Sequence, residues 1–289
     1  MTRMLNRRTA TALLAALATV ASLTACTTAA PTSTRTPTSS ATAQAGPALP
    51  PGLSTSEIAA LPATGFDAVI PGLLAAPSIA DITDSFTAVF DTPVYGADFQ
   101  TPVARIPAKD FLGQPTVVVR VETRGTWSLV LTAARKQLPS KATAEVPASA
   151  QSAAWVPTAS LRPAQKLSHR VVISTSKQTL SIVDEHGTTT KTYPVGVGTA
   201  DTPTPTGTGY LQARYLDPAQ GQDEHRIQLT SLHATAADEP YGGPDGGLIG
   251  IHFQSTARGA VSHGCIRLSA DAIAAVDALP LGTGVVITD

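Results

Sequence analysis

The second half of the chain alternates in polarity with a period of two. Tyr193, Val195 and Val197 fall on one face while their neighbours fall on the other, the pattern of a half-buried strand. Runs rich in β-branched residues predict further strands at Arg170 to Thr175, Thr179 to Val183, Gly209 to Leu216, Arg226 to Leu232, Leu248 to Phe253 and Gly284 to Thr288. The turns Ser176-Lys177-Gln178 and His186-Gly187 punctuate them. One segment changes period. Ala272, Ile273, Val276 and Leu279 form a helical stripe, with Ser269 placed to cap its start and Asp271 to complement its positive end. The second half is therefore expected to be mostly β with one C-terminal helix.

The stretch from Leu53 to Pro163 is less regular. Phe86 to Phe90, Thr116 to Val121 and Trp127 to Leu131 read as strands. A polar, alanine-rich loop runs from Arg135 to Ser152, and Ala154-Trp155-Val156-Pro157 follows. Two tryptophans on short strands split by a long loop resemble a small SH3-like β-barrel of the wall-associated type. No cysteine, histidine or carboxylate pair clusters here, so support or wall binding is expected of this block. The division that results is a segment 1–25, a tether 26–52, an N-terminal β domain 53–163 and a second domain 166–289.

The start of the chain reads as an export signal. Arg3, Arg7 and Arg8 form a basic region, and Thr11 to Leu23 an apolar run too short to span a bilayer comfortably. It closes on Leu23-Thr24-Ala25-Cys26, similar to a bacterial lipobox. Cleavage before Cys26 would leave that thiol carrying lipid and anchor the protein to the outer face of the membrane. An ordinary secretory peptide is the alternative. Thr27 to Pro51 is almost all Thr, Ala, Ser and Pro, which cannot bury enough apolar surface to offset ordering, and is expected to act as a flexible tether.

Composition narrows the function. Only 14% of the 289 residues are charged and the net charge is −1, so no basic excess exists to neutralise nucleic-acid phosphates. The chain has two cysteines. Exported proteins normally cross-link theirs, but the lipobox claims Cys26, so no intramolecular disulfide is expected at Cys265. A single remaining cysteine with histidines nearby is a candidate nucleophile. His263 lies two residues before it, and His252 stands at the end of a predicted strand. Gly264 allows a sharp backbone turn, the kind that can aim successive N–H groups at one oxyanion. An inert buried cysteine is the bland alternative. A zinc site of His252, His263 and Cys265 would want a fourth ligand, and neither metal nor cofactor is expected.

"IGIH" (Ile249 to His252) followed by "SHGCIRLS" (Ser262 to Ser269) resembles the L,D-transpeptidase family, the YkuD catalytic domain. "TPTPTG" (Thr202 to Gly207) and the closing "LGTGVVIT" (Leu281 to Thr288) carry the likeness further, over about Leu167 to Asp289. The resemblance implies a β-sandwich domain in which Cys265 attacks a peptidoglycan stem tetrapeptide at its third residue. D-alanine would leave, and a diamino-acid amine of a neighbouring stem would resolve the thioester into a 3→3 cross-link. It implies His252 as the base, His263 as a residue shaping the site, the N–H groups of Gly264 and Cys265 as oxyanion donors, and carbapenem β-lactams as covalent inhibitors. Arg267, Ser262 and Phe253 are the expected substrate contacts, Arg267 through a fork suited to a stem carboxylate. Phe253 stands where the family has glycine or a small polar residue, and is expected to narrow the cleft. The alternatives are an L,D-carboxypeptidase or hydrolase, in which water replaces the amine, and a non-catalytic wall-binding lipoprotein.

Overall fold

The computed structural model describes residues 46–77, 81–242 and 246–289. Cys26, the expected signal segment 1–25 and most of the tether 26–52 lie outside the described residues. The protein is mainly β. Among the described residues the strands form two sheets, which change over between Lys166 and His169.

The first sheet has eight strands. Its path runs Pro102–Ile106, Thr92–Tyr95, Ser152–Pro157, Trp127–Thr132, Val117–Arg124, Asp84–Ala88, Leu161–Lys166, with Leu74–Ala75 also paired to Ser152–Pro157. The path is open at both ends, so these pairings do not close the small SH3-like barrel expected from the tryptophans. What the tryptophans do is fill the interior. Trp127 and Trp155 are 0% and 3% exposed, and Phe99 packs against both, with ring centroids 5.3 and 4.8 Å away. The Trp127 indole N–H is satisfied by the Pro47 carbonyl at 2.8 Å, as a buried indole requires.

The second sheet has ten strands, ordered Thr189–Pro194, Thr179–Asp184, His169–Ser174, Gly284–Thr288, Gly207–Asp217, Gln222–His233, Leu248–Phe253, Ile266–Leu268, Gly196–Gly198, Gly259–Ser262. Among the described residues the one α-helix of this half, Ala270–Asp277, lays Ala272, Ile273 and Val276 into the core. Ser269 sits at its N-cap position, but its hydroxyl bonds the Asp271 carboxylate rather than a helical N–H.

The two sheets share a seam. Tyr210, from the second sheet, is buried within the aromatic core of the first, and its hydroxyl donates to the Val117 carbonyl at 3.1 Å. Ser231 donates to Gln151 Oε1 at 2.6 Å, while Gln151 Nε2 donates to the Thr132 carbonyl at 2.7 Å. His233 lies inside this seam: it is 1% exposed and its Nε2–H donates to the Phe66 carbonyl at 3.0 Å. Burial is the main cause that pushes its pKa down to about 4.

Candidate active site

Two short strands set the site. Leu248–Phe253 pairs in parallel with Ile266–Leu268, with Ile251 opposite Ile266 and His252 opposite Arg267. Successive side chains of a strand point to opposite faces. Ile249, Ile251, Ile266 and Leu268 therefore enter the core, all 0% exposed. Gly250, His252, Cys265 and Arg267 take the other face and line one cavity of about 480 Å³. The alternation that builds the core is the same alternation that gathers the polar groups.

Cys265 sits in this cavity with a defined surround. The Gly250 N–H donates to its sulfur at 3.3 Å, a contact that favours a thiolate. The Tyr241 hydroxyl lies 3.1 Å from Sγ. A Cβ at Gly250 would stand 3.7 Å from the sulfur, so this side of the thiol is bordered by main chain.

His252 is largely buried at the end of its strand. Its Nδ1–H donates to the Phe253 carbonyl at 3.0 Å, which leaves the lone pair on Nε2. Burial holds its pKa below the ordinary histidine value; the Phe253 carbonyl opposes that shift and the Arg267 charge adds to it. The result is an imidazole kept neutral and able to accept a proton near pH 7. His263 lies on the exposed rim of the cavity.

The loop that presents Cys265 is held from within. Ser262 Oγ donates to the Cys265 carbonyl at 2.6 Å and accepts from the Gly264 N–H at 3.2 Å. Two expectations change here. Ser262 is 2% exposed and commits its hydroxyl to loop geometry, although the residue borders the cavity. The Gly264 N–H is engaged by Ser262, so in this arrangement it is not an oxyanion donor, and the expected pair is reduced. Gly264 itself adopts φ +118°, and a Cβ there would meet Ile249 Cδ1 at 3.2 Å. Both facts demand glycine.

Phe253 also departs from expectation. Its φ is negative, like that of any strand residue, so no glycine-only angle is needed. Its ring faces the core side and packs against His225 with centroids 4.8 Å apart. It does not line the cavity; only its carbonyl serves the site, through His252. Arg267 does line it, and its buried Nε has no hydrogen-bond partner among the described residues.

Several contributors escaped sequence reasoning. Thr204, in the "TPTPTG" phrase, donates to the Gly264 carbonyl at 2.8 Å and accepts from the Gly198 N–H at 2.9 Å. The Ser262 carbonyl accepts from the Thr199 N–H at 2.9 Å. The proline-rich phrase thus buttresses the cysteine loop. Tyr241 comes from a Gly/Pro-rich connection with no periodicity to flag it. Phe66 and Phe111, from the first half of the chain, form a wall of the same cavity; their rings meet edge-on at 5.0 Å, and Phe111 meets Tyr215 at 6.0 Å. Among the described residues no group of three or more His, Cys, Asp or Glu side chains is arranged to hold a metal.

Residues 168–287 match the YkuD family, the L,D-transpeptidase catalytic domain. No curated protein matches the chain. Among solved structures, L,D-transpeptidase 1 of Mycobacterium tuberculosis is 20% identical over 48% of this chain and 78% of its own, with a TM-score of 0.31. An L,D-transpeptidase of Mycobacterium smegmatis is 17% identical over 60% of this chain and 91% of its own, with a TM-score of 0.34. The carbamoyl enzyme formed by Ldtfm and avibactam is 16% identical over 42% of this chain and 49% of its own, at 0.29.

Proposed function

We propose that the protein is a peptidoglycan L,D-transpeptidase that forms 3→3 cross-links through a thioacyl intermediate on Cys265. The observation that carries this reading is that His252 and Arg267, paired across two strands, and Cys265, just before the second strand, line one cavity within the stretch matching the YkuD domain. His252 Nε2 takes the thiol proton. The sulfur attacks the carbonyl of the third stem residue, the peptide bond to D-alanine breaks, and His252 returns the proton to the departing amine. The diamino-acid amine of a second stem then attacks the thioester. His252 takes its proton, the C–S bond breaks, and an amide and the free enzyme result. The open Arg267 fork suits a stem carboxylate.

Purified protein incubated with a tetrapeptide donor and an acceptor stem tests this by mass spectrometry of the products. The expected result is D-alanine release together with a cross-linked dimer, both absent in Cys265→Ala. Tripeptide alone, with acceptor present, would replace the transferase reading with hydrolysis. A carbapenem is expected to add one covalent adduct to the wild type and none to Cys265→Ala. We further propose that Cys26 carries a lipid anchor that holds the protein at the outer face of the membrane. Labelled palmitate should enter the wild type in cells and not Cys26→Ala; equal labelling would remove the anchor.

A further inference from the structure

The first half of the chain places a charged side chain under the segment that carries Tyr241. Arg135 follows the strand Trp127–Thr132, and its main chain is fixed on both sides: Ile70 N–H donates to the Arg135 carbonyl at 2.8 Å, and Arg135 N–H donates to the Ala68 carbonyl at 2.9 Å. Its side chain is 2% exposed. Nη1 donates to the Asp238 carbonyl at 2.8 Å and Nη2 to Glu239 Oε1 at 3.1 Å. From the same loop, the Ser140 N–H donates to Asp238 Oδ1 at 2.8 Å. Immediately beyond, the Gly242 N–H closes a turn onto the Glu239 carbonyl at 3.2 Å. Tyr241 stands in that turn, its hydroxyl 3.1 Å from the Cys265 sulfur.

A buried guanidinium is costly unless its donors are used, and its planar fork fixes angle as well as distance. Here the fork grips a main-chain carbonyl and the adjacent carboxylate together. That grip restrains the two residues that open the Tyr241 turn. A phenol held at hydrogen-bond distance can accept from the thiol and, once the proton has left, donate to the thiolate. We propose that Arg135 is a positioning residue for the reaction at Cys265: it anchors Asp238 and Glu239 so that the Tyr241 hydroxyl stays on the sulfur. The proposal rests on Cys265 being the reacting thiol, not on the identity of the acyl donor. It gives the first half of the chain a part in the chemistry.

Iodoacetamide alkylation of Cys265 in the folded full chain, followed by intact mass as a function of pH, tests it without any peptidoglycan substrate. Tyr241→Phe is expected to raise the pH midpoint of alkylation by about one unit, since a lost donor disfavours the thiolate. Arg135→Met should shift it in the same direction, the double variant should shift it no further than Tyr241→Phe, and Arg135→Lys should recover part of it. A midpoint unchanged in Arg135→Met, or shifts that add in the double variant, would overturn the proposal. Should Arg135→Met fail to fold, Asp238→Ala with Glu239→Ala removes the Ser140 bond and the Nη2 ion pair while the Asp238 carbonyl stays, and a smaller shift in the same direction is expected. A midpoint equal to wild type there overturns the proposal equally. If the alkylation coupling holds while stem peptides give no product, only the substrate reading falls.

Discussion

In the second sheet most of the residues facing the cavity follow two strands at every second position: Gly250 and His252 on one, Arg267 on the other, with Cys265 in the loop that leads directly into it. In the first sheet the residues that reach the same region, Phe66, Phe111 and Arg135, come from outside the named strands. One half places its functional groups by periodicity, and the other places them by where its turns happen to meet the seam. A strand fixes a side chain through neighbours on both edges. A turn fixes one only through specific bonds, such as those that hold Arg135 at main chain and fork. The difference teaches that chemistry on a sheet is legible as a pattern, while support from a neighbouring sheet is legible only in three dimensions.

The largest expected effect tests the periodic half alone. His252→Ala should lower the rate of thioester formation by about 10²–10⁴-fold, the usual loss when a positioned general base is removed, while near-UV circular dichroism stays unchanged. Wild-type activity should keep its acid limb below the ordinary histidine value, because burial lowers the pKa of His252. A limb at or above that value would show that another group titrates.

The seam comes next. His233 has a folded pKa of about 4, below its unfolded value near 6.5. The unfolded chain therefore binds the extra proton between those values. The contribution is complete above pH 6.5 and is lost as pH falls toward 4, on the order of 3 kcal/mol at most. His233→Gln, which keeps a donor for the Phe66 carbonyl, should show a shallower loss of stability in urea melts from pH 7 to pH 4. Parallel slopes in the two proteins would mean that the seam does not sense this proton.

The smallest effect concerns the buttress. Thr204→Val removes the bonds to Gly264 and Gly198 while keeping the side chain's shape, and should cost about 1–2 kcal/mol of stability. Alkylation of Cys265 at pH 7 should change by less than about tenfold, since Ser262 still braces the loop. A loss as large as that of His252→Ala would place Thr204 in the reaction itself.

Legibility in the sequence followed the same division. The strands Leu248–Phe253 and Gly284–Thr288 have the bounds expected from their β-branched runs. Thr92–Tyr95, Pro102–Ile106 and Leu161–Lys166 gave no signal, because each contains a proline and proline argues against a strand. Two of the three are tolerated for a visible reason: Pro102–Ile106 and Leu161–Lys166 end the sheet, and Pro163 pairs with Phe86 where the register shifts. Nothing in the sequence marks His233 or Arg135 as buried, because their partners lie 167 and more than 100 residues away, beyond any spacing rule. Phe253 was misjudged because attention went to its side chain, when its strand position turns the ring inward and leaves its carbonyl to the site.

Gly250 sets a size limit on the chemistry. Its N–H approaches the sulfur and no side chain follows it, so in the proposed reaction the space beside Cys265 is left to the acyl group. An alanine there would make only ordinary contact with Sγ at 3.7 Å, and the fold would tolerate it. The added methyl would nevertheless stand where the acyl chain must turn. Under the proposed function Gly250→Ala should therefore act as a narrowed aperture, leaving a small alkylating agent unaffected and slowing a bulky acyl donor. Selectivity at this wall is held by the absence of an atom.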